Sequence, residues 1–196
     1  MADIPDEPEA FEPFTVLERT PIYDSPWCTL RRDRVLVPSG QGTDPLERQH
    51  HVISIGDAVV VVPECEDGSI VFIGQYRYPH GRTHWELPAG RLLPDETPDA
   101  GARRELREET GWEARDWLQL PGFFPLNGIS DHWAHVRVAR GCYPVGPQQL
   151  DDTERIRVRR FTRAEAEALL DSGHLTDGFS ALALLLWFRR QPCQGG

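Results

Sequence analysis

The stretch "ELPAGRLLPDETPDAGARRELREETGW", residues 86–112, constrains the fold more than any other because it writes both ends of one helix. Thr97 is a side-chain cap. Pro98 suits the first helical position, where its missing N–H costs nothing, and Gly111 suits the left-handed stop. Between these ends Ala102 and Leu106 can turn inward, while Glu105 and Glu109, four residues apart, share a face with Glu108 beside them. Seven acids in this stretch stand against four arginines. Such density has two readings: a solvated helix surface, or a cradle of carboxylate oxygens for a hard divalent cation. Just upstream, "LPAG" places Pro88 and Gly90 at a tight turn whose carbonyls can add a ligand. Glu96 stands where it can pair with Arg104 and hold the loop around the acidic face.

Around this helix the chain reads mostly as strands. Trp27 to Val37 is one, followed by the loop "PSGQGTDPLERQ"; "HVISI", "AVVVVP" and "SIVFIGQYRYP" follow, with "HWELP" a short extended piece. "HWAHVRVAR" and "RIRVRRF" are later strands. A second helix starts at Thr162, whose spacing to Glu165 is a capping box, and Gly173 closes it. A third runs from Gly178 to Arg190 and is apolar on most sides, which predicts burial. Many strands, one central helix and two late ones give an α+β class, mixed or sandwich. With 196 residues, the chain is long enough for one domain, or one domain with a small appendage. Residues 1–13, rich in Pro, Glu and Asp, are expected to be frayed, 14–50 to form an N-terminal strand region, and 51–191 to be the main domain.

A formal net charge of -10 argues against nucleic acid as a partner, since phosphate backbones need a basic face. It leaves room for a small phosphorylated substrate once metal screens the carboxylates. Cys28, Cys65, Cys142 and Cys193 form no CxxC pair and read as reduced thiols. The acidic N-terminus has no positive flank or apolar core, and the longest apolar run, "ALALLLWF", is too short to span a bilayer. The expected setting is cytoplasmic, away from membranes. His132 and His135 point to opposite faces of a strand, so they are not a zinc pair; His84 reads as packing and His50-His51 as a loop end.

Written out, the acidic stretch is Gly90, five residues, Glu96, seven residues, then Arg104-Glu105-Leu106-Arg107-Glu108-Glu109-Thr110-Gly111-Trp112. It resembles the signature of the Nudix hydrolases, GX5EX7REUXEEXGU with U a bulky apolar residue, at every fixed position. The resemblance implies a Nudix α/β/α sandwich with a mixed sheet, and a loop–helix–loop over residues 90–112. It makes Glu105 and Glu109 the principal metal ligands, with Glu108 in the cluster and the Ala89 carbonyl as a further ligand. Gly90, Glu96, Arg104 and Gly111 become structural parts of the motif. The implied cofactor is Mg2+, with Mn2+ as the other option. The implied reaction is pyrophosphate hydrolysis, which needs cations between repelling oxygens because the attacked phosphate is already anionic.

Beyond the box, "GQYRYPHGRTHWELPAG" and the tail from Asp151 to Trp187 resemble the ADP-ribose pyrophosphatases and related nucleoside diphosphate sugar hydrolases. That subgroup would have Arg77 reach a substrate phosphate and Glu154 serve metal or water from a late acidic loop, with Asp151 and Asp152 as close substitutes. Glu86 is open between contacting substrate, binding metal at the edge and a structural role. Asn127 can hydrogen-bond sugar or base, and Trp27 can stack on a base or pack across a dimer. The subgroup's proline–glycine pair is replaced here by Asn127-Gly128, which leaves the choice of ADP-ribose over another derivative open. The alternatives are a hydrolase of dinucleotides or a metabolite-binding module without catalysis. A homodimer is the assembly the resemblance implies.

Overall fold

Val59, Val60, Val61 and Val62 are all completely buried, although successive residues of a strand face opposite sides. A strand of that kind must be covered on both faces, and it organises everything around it. The computed structural model describes residues 11–38 and 44–190. The expected frayed start up to residue 10, loop residues 39–43 and Cys193 lie outside them. The described residues fall into two units: those up to Ile55 with Gly128–Asp131, and Gly56–Asn127 with those from His132 on.

The smaller unit is a three-stranded antiparallel sheet of β1 (Thr15–Asp24), β2 (Thr29–Val37) and β3 (Leu46–Ser54) in sequence order. β1 is exposed along nearly its whole length. The buried carboxylate of Asp33 on β2 is held by Arg31 at 3.3 Å, with Arg19 at 3.8 Å. Leu46–Gln49 and His50-His51, read above as loop and loop end, belong to β3. Six consecutive exposed residues open that strand, so the alternation that would have marked it is missing.

The larger unit holds an eight-stranded mixed sheet. Its path is β11 (Ile156–Phe161), β5 (Ile70–Arg77), β4 (Ala58–Cys65), β10 (Ala134–Pro144) and β8 (Trp112–Glu113). β6 (Arg82–Glu86) pairs with β5, β7 (Ala89–Arg91) with β4, and β9 (Asp116–Phe123) with β10. β4 and β10 run parallel and the other pairings are antiparallel. The strand β9 was not expected, because Pro121-Gly122 reads as a turn. The ladder shifts register next to it, between the partners of Ala134 and Val136.

Helices cover both faces. α1 (Pro98–Thr110) packs Ala102 and Leu106 against Val59, Val61, Val71 and Ala139. On the other face α2 (Arg163–Asp171) and α3 (Gly178–Arg190) bring Ala166, Ala183, Leu184 and Trp187 against Val60, Val62, Phe72 and Val138. The caps are those written in the sequence: Thr97 accepts from the Ala100 amide, and Thr162 and Glu165 form the reciprocal capping box. α3 is not buried all round; Leu182 and Leu185 are exposed. Cys28, Cys65 and Cys142 are free thiols. Among the described residues no helix is long and apolar enough to cross a membrane.

Candidate active site

The start of α1 is fastened before its acids are presented. Arg104 spreads its guanidinium between Glu96, at 2.8 Å from both Nε and Nη2, and the Arg91 carbonyl, at 3.0 Å. Glu96 also accepts the Leu93 amide at 3.0 Å. The hydrogen bonds from Arg104 hold Glu96 below its ordinary pKa, and the same bonds raise that of Arg104. The remaining nitrogen of Arg104, Nη1, donates to Glu105 at 2.6 Å and Glu108 at 3.1 Å. A Cβ on Gly90 would collide with the Glu105 carboxylate, so glycine here leaves that carboxylate its present place. Gly111 ends the helix at φ 73°, with its amide on the Arg107 carbonyl at 2.8 Å.

Glu109 stands on the inner side of this face. It is 2% exposed and accepts the Ala89 amide at 2.9 Å. Burial raises its pKa well above 4.5, and the charges on Glu105 and Glu154 push the same way against the Ala89 amide and Arg77. Glu105 is raised as well, by burial first, with Arg104 opposing and Glu108 and Glu154 adding. Glu154 is therefore near enough for both box glutamates to feel its charge. Its own carboxylate accepts the Asp151 amide at 2.9 Å. The loop leading to it is docked on the last carbonyls of α1: Gln149 N–H on Glu108 at 2.8 Å and Gln148 Nε2 on Glu109 at 2.5 Å. Sequence reading missed these glutamines, since a polar loop carries no periodic signal.

Arg77 ends β5 and Glu86 ends β6; their ladder partners are Arg82 and Ile73, and it is the two side chains that meet. Arg77 Nε lies 2.9 Å and Nη2 2.5 Å from the two carboxylate oxygens of Glu86. Glu86 is 4% exposed, so the pair holds the arginine rather than offering a free acid. Glu86, then Glu109 and Asp177, raise the Arg77 pKa against its desolvation. Asn127 lies exposed in the turn 125–129 and makes no hydrogen bond or ion pair to this group. Trp27 belongs to the smaller unit, 74% exposed in the bend between β1 and β2.

The donor chemistry fits a hard divalent cation. Three box glutamates offer oxygen only, and two of them are buried with less positive charge than they need. Among the described residues no three acids, histidines or cysteines already converge on one point, because Arg104 and the Ala89 amide occupy the carboxylates.

The NUDIX domain matches residues 55–179, and the nucleoside diphosphate sugar hydrolase N-terminal domain matches residues 14–45. The chain belongs to the NUDIX family. This NUDIX chain is 32% identical over 174 residues to an ADP-ribose pyrophosphatase of Mycobacterium tuberculosis, covering 88% of this chain and 82% of that one. It is 29% identical over 164 residues to an ADP-ribose pyrophosphatase of Bacillus subtilis, covering 83% and 86%. A Streptomyces rubellomurinus CMP-5'-(N-acetyl-N-hydroxy-3-aminopropyl)phosphonate hydrolase is 30% identical, over 84% and 77%. The crystal structure of an ADP compounds hydrolase shares the NUDIX fold described above, with TM-score 0.81 at 22% identity over 96% of this chain and 99% of that one.

Proposed function

We propose that this NUDIX domain hydrolyses the pyrophosphate bond of ADP-ribose or another nucleoside diphosphate sugar, giving a nucleoside monophosphate and a sugar phosphate. The observation that carries the reading is the pair of buried, under-compensated carboxylates, Glu105 and Glu109, on a helix face locked from behind by Arg104 and Glu96. The match of the N-terminal segment to nucleoside diphosphate sugar hydrolases and the two ADP-ribose pyrophosphatase relatives support the substrate class. Magnesium or manganese, when bound, neutralises phosphate oxygens and acidifies water.

In this reading Glu105, Glu108 and Glu109 hold the cation, with the Ala89 carbonyl beside them. Arg77 binds a substrate phosphate, and Glu86 aims it by fixing two of its nitrogens. The third, Nη1, stays available for the phosphate. Glu154 holds the attacking water and takes its proton, close to the two buried box glutamates whose balance its charge enters. Asn127 contacts the sugar or base. Two copies form a homodimer through the N-terminal strands, where β1 leaves Val16, Leu17, Ile22 and Tyr23 exposed. No nucleic acid takes part.

The test is turnover of a panel of ADP-ribose, other nucleoside diphosphate sugars, dinucleotides and CMP-linked phosphonates with Mg2+ or Mn2+. ADP-ribose or a nucleoside diphosphate sugar should give the highest kcat/KM, and preference for a dinucleotide would replace the reading.

A further inference from the structure

In α3 the inward stripe is Ser180, Ala183, Leu184 and Trp187, and Ser180 is its polar exception. It is completely buried, as is Leu87. The Ser180 hydroxyl accepts the Leu87 amide at 2.7 Å and donates to Asp177 Oδ2 at 2.6 Å. Asp177 also accepts the Ser180 amide at 2.9 Å, as a cap does at a helix start. Asp177 would serve that amide whatever side chain followed. The hydroxyl is needed only by Leu87, whose N–H has no water to turn to.

Leu87 is two residues from Ala89, whose amide holds Glu109 at 2.9 Å. Between them Pro88 has a fixed φ, and its carbonyl accepts the Val61 amide at 2.9 Å. A shift at Leu87 therefore passes to Ala89 through few soft dihedrals. A second tie joins the same turn to β6, where Thr176 Oγ1 lies 2.8 Å from His84 Nδ1.

We propose that Ser180 is a positioning residue: its hydroxyl, oriented by Asp177, sets the Leu87–Ala89 backbone and through it the Glu109 carboxylate that receives the divalent cation. The inference rests on the metal reading of Glu109 given above. Its test is Mn2+ binding followed by electron paramagnetic resonance in the intact protein, with kcat and KM measured alongside. Ser180→Ala should weaken Mn2+ about tenfold, the lower end of what outer-shell partners contribute, and lower kcat with KM for the sugar nucleotide little changed. Leu184→Ala opens a cavity in the same helix and costs stability, yet should leave Mn2+ affinity unaltered. Wild-type Mn2+ affinity in Ser180→Ala, or an equal loss in Leu184→Ala, overturns the proposal. If Ser180→Ala does not fold, Asp177→Ala takes its place, since it removes the acceptor that orients the hydroxyl. It should weaken Mn2+ by a smaller factor, and unchanged affinity overturns the proposal in that arm. Wild-type Mn2+ binding by Glu109→Gln would instead overturn the metal assignment itself, and the proposal with it.

Discussion

Glu96 and Glu109 lie on the two sides of one loop–helix segment and are treated in opposite ways. Glu96 has a guanidinium on both oxygens and a backbone amide besides, and its pKa falls. Glu109 is more deeply buried, receives one amide, faces two further acids, and its pKa rises. A charge that is fully matched contributes to holding the fold. A charge left short of its counter-ion costs stability until a cation arrives, and that shortfall is what makes the site a receptor.

The comparison breaks most visibly at Glu109. Glu109→Gln should lower kcat about 10³-fold, roughly 4 kcal/mol of lost charge stabilisation, in an assay of ADP-ribose cleavage at saturating Mg2+. The same variant should melt higher than wild type in EDTA, by about 2–4 °C for each ~1 kcal/mol of relieved strain. Near wild-type turnover, or a lower melting temperature without metal, would contradict the contrast.

Glu154 comes next. Glu154→Gln should reduce kcat roughly 10²-fold, within the usual range for a general base, with substrate affinity by equilibrium binding hardly altered. Asp151→Asn and Asp152→Asn should keep most activity, because Glu154 is the loop acid whose charge both box glutamates feel. A larger loss in either aspartate variant would move the task within the loop.

Arg77→Ala should raise KM about tenfold with a smaller change in kcat, in line with ~1.5–3 kcal/mol for a charge-assisted hydrogen bond. Glu86→Gln should do the same more weakly, since it loosens the arginine without removing it. An unchanged KM in Arg77→Ala would make the pair purely structural.

The smallest effect separates the two glutamates by pH. The folded pKa of Glu96 is depressed, so its stabilisation is present above the unfolded value, near 4.5, and is lost as pH falls through the folded one. The folded pKa of Glu109 is raised, so between about 4.5 and that higher value the native state binds the extra proton. Metal-free wild type should therefore gain stability as pH drops from neutral toward 4.5, and Glu109→Gln should lose the Glu109 part of that gain, leaving the part from Glu105, whose pKa is also raised. Thermal melts in EDTA across this range check the sign, and equal slopes in the two proteins would refute it.

How far such contrasts were legible depended on distance along the chain. Thr97, Pro98 and Gly111 gave the ends of α1 because capping is local. Thr162 and Glu165 did the same for α2. The Glu96–Arg104 pair was readable because eight residues of one motif join it. β3 was not readable at its start, where both faces meet solvent, and β9 was hidden by Pro121-Gly122. The pairing of Arg77 with Glu86 depends on strand register, and the tie from Ser180 to Leu87 spans 93 residues. Neither leaves a mark in the local pattern.

The parallel pairing of β4 with β10 also sets an order in time. Two parallel neighbours cannot close through a tight turn, and here residues 66–133, which include the whole acidic helix, lie between them. On a ribosome delivering the chain from its N-terminus, β4 waits through all of that synthesis before its neighbour exists. α3 emerges later still, and with it the hydroxyl that fastens Leu87. A nascent chain that stalls before residue 180 would thus carry every box glutamate and still lack one of the fixed points around them.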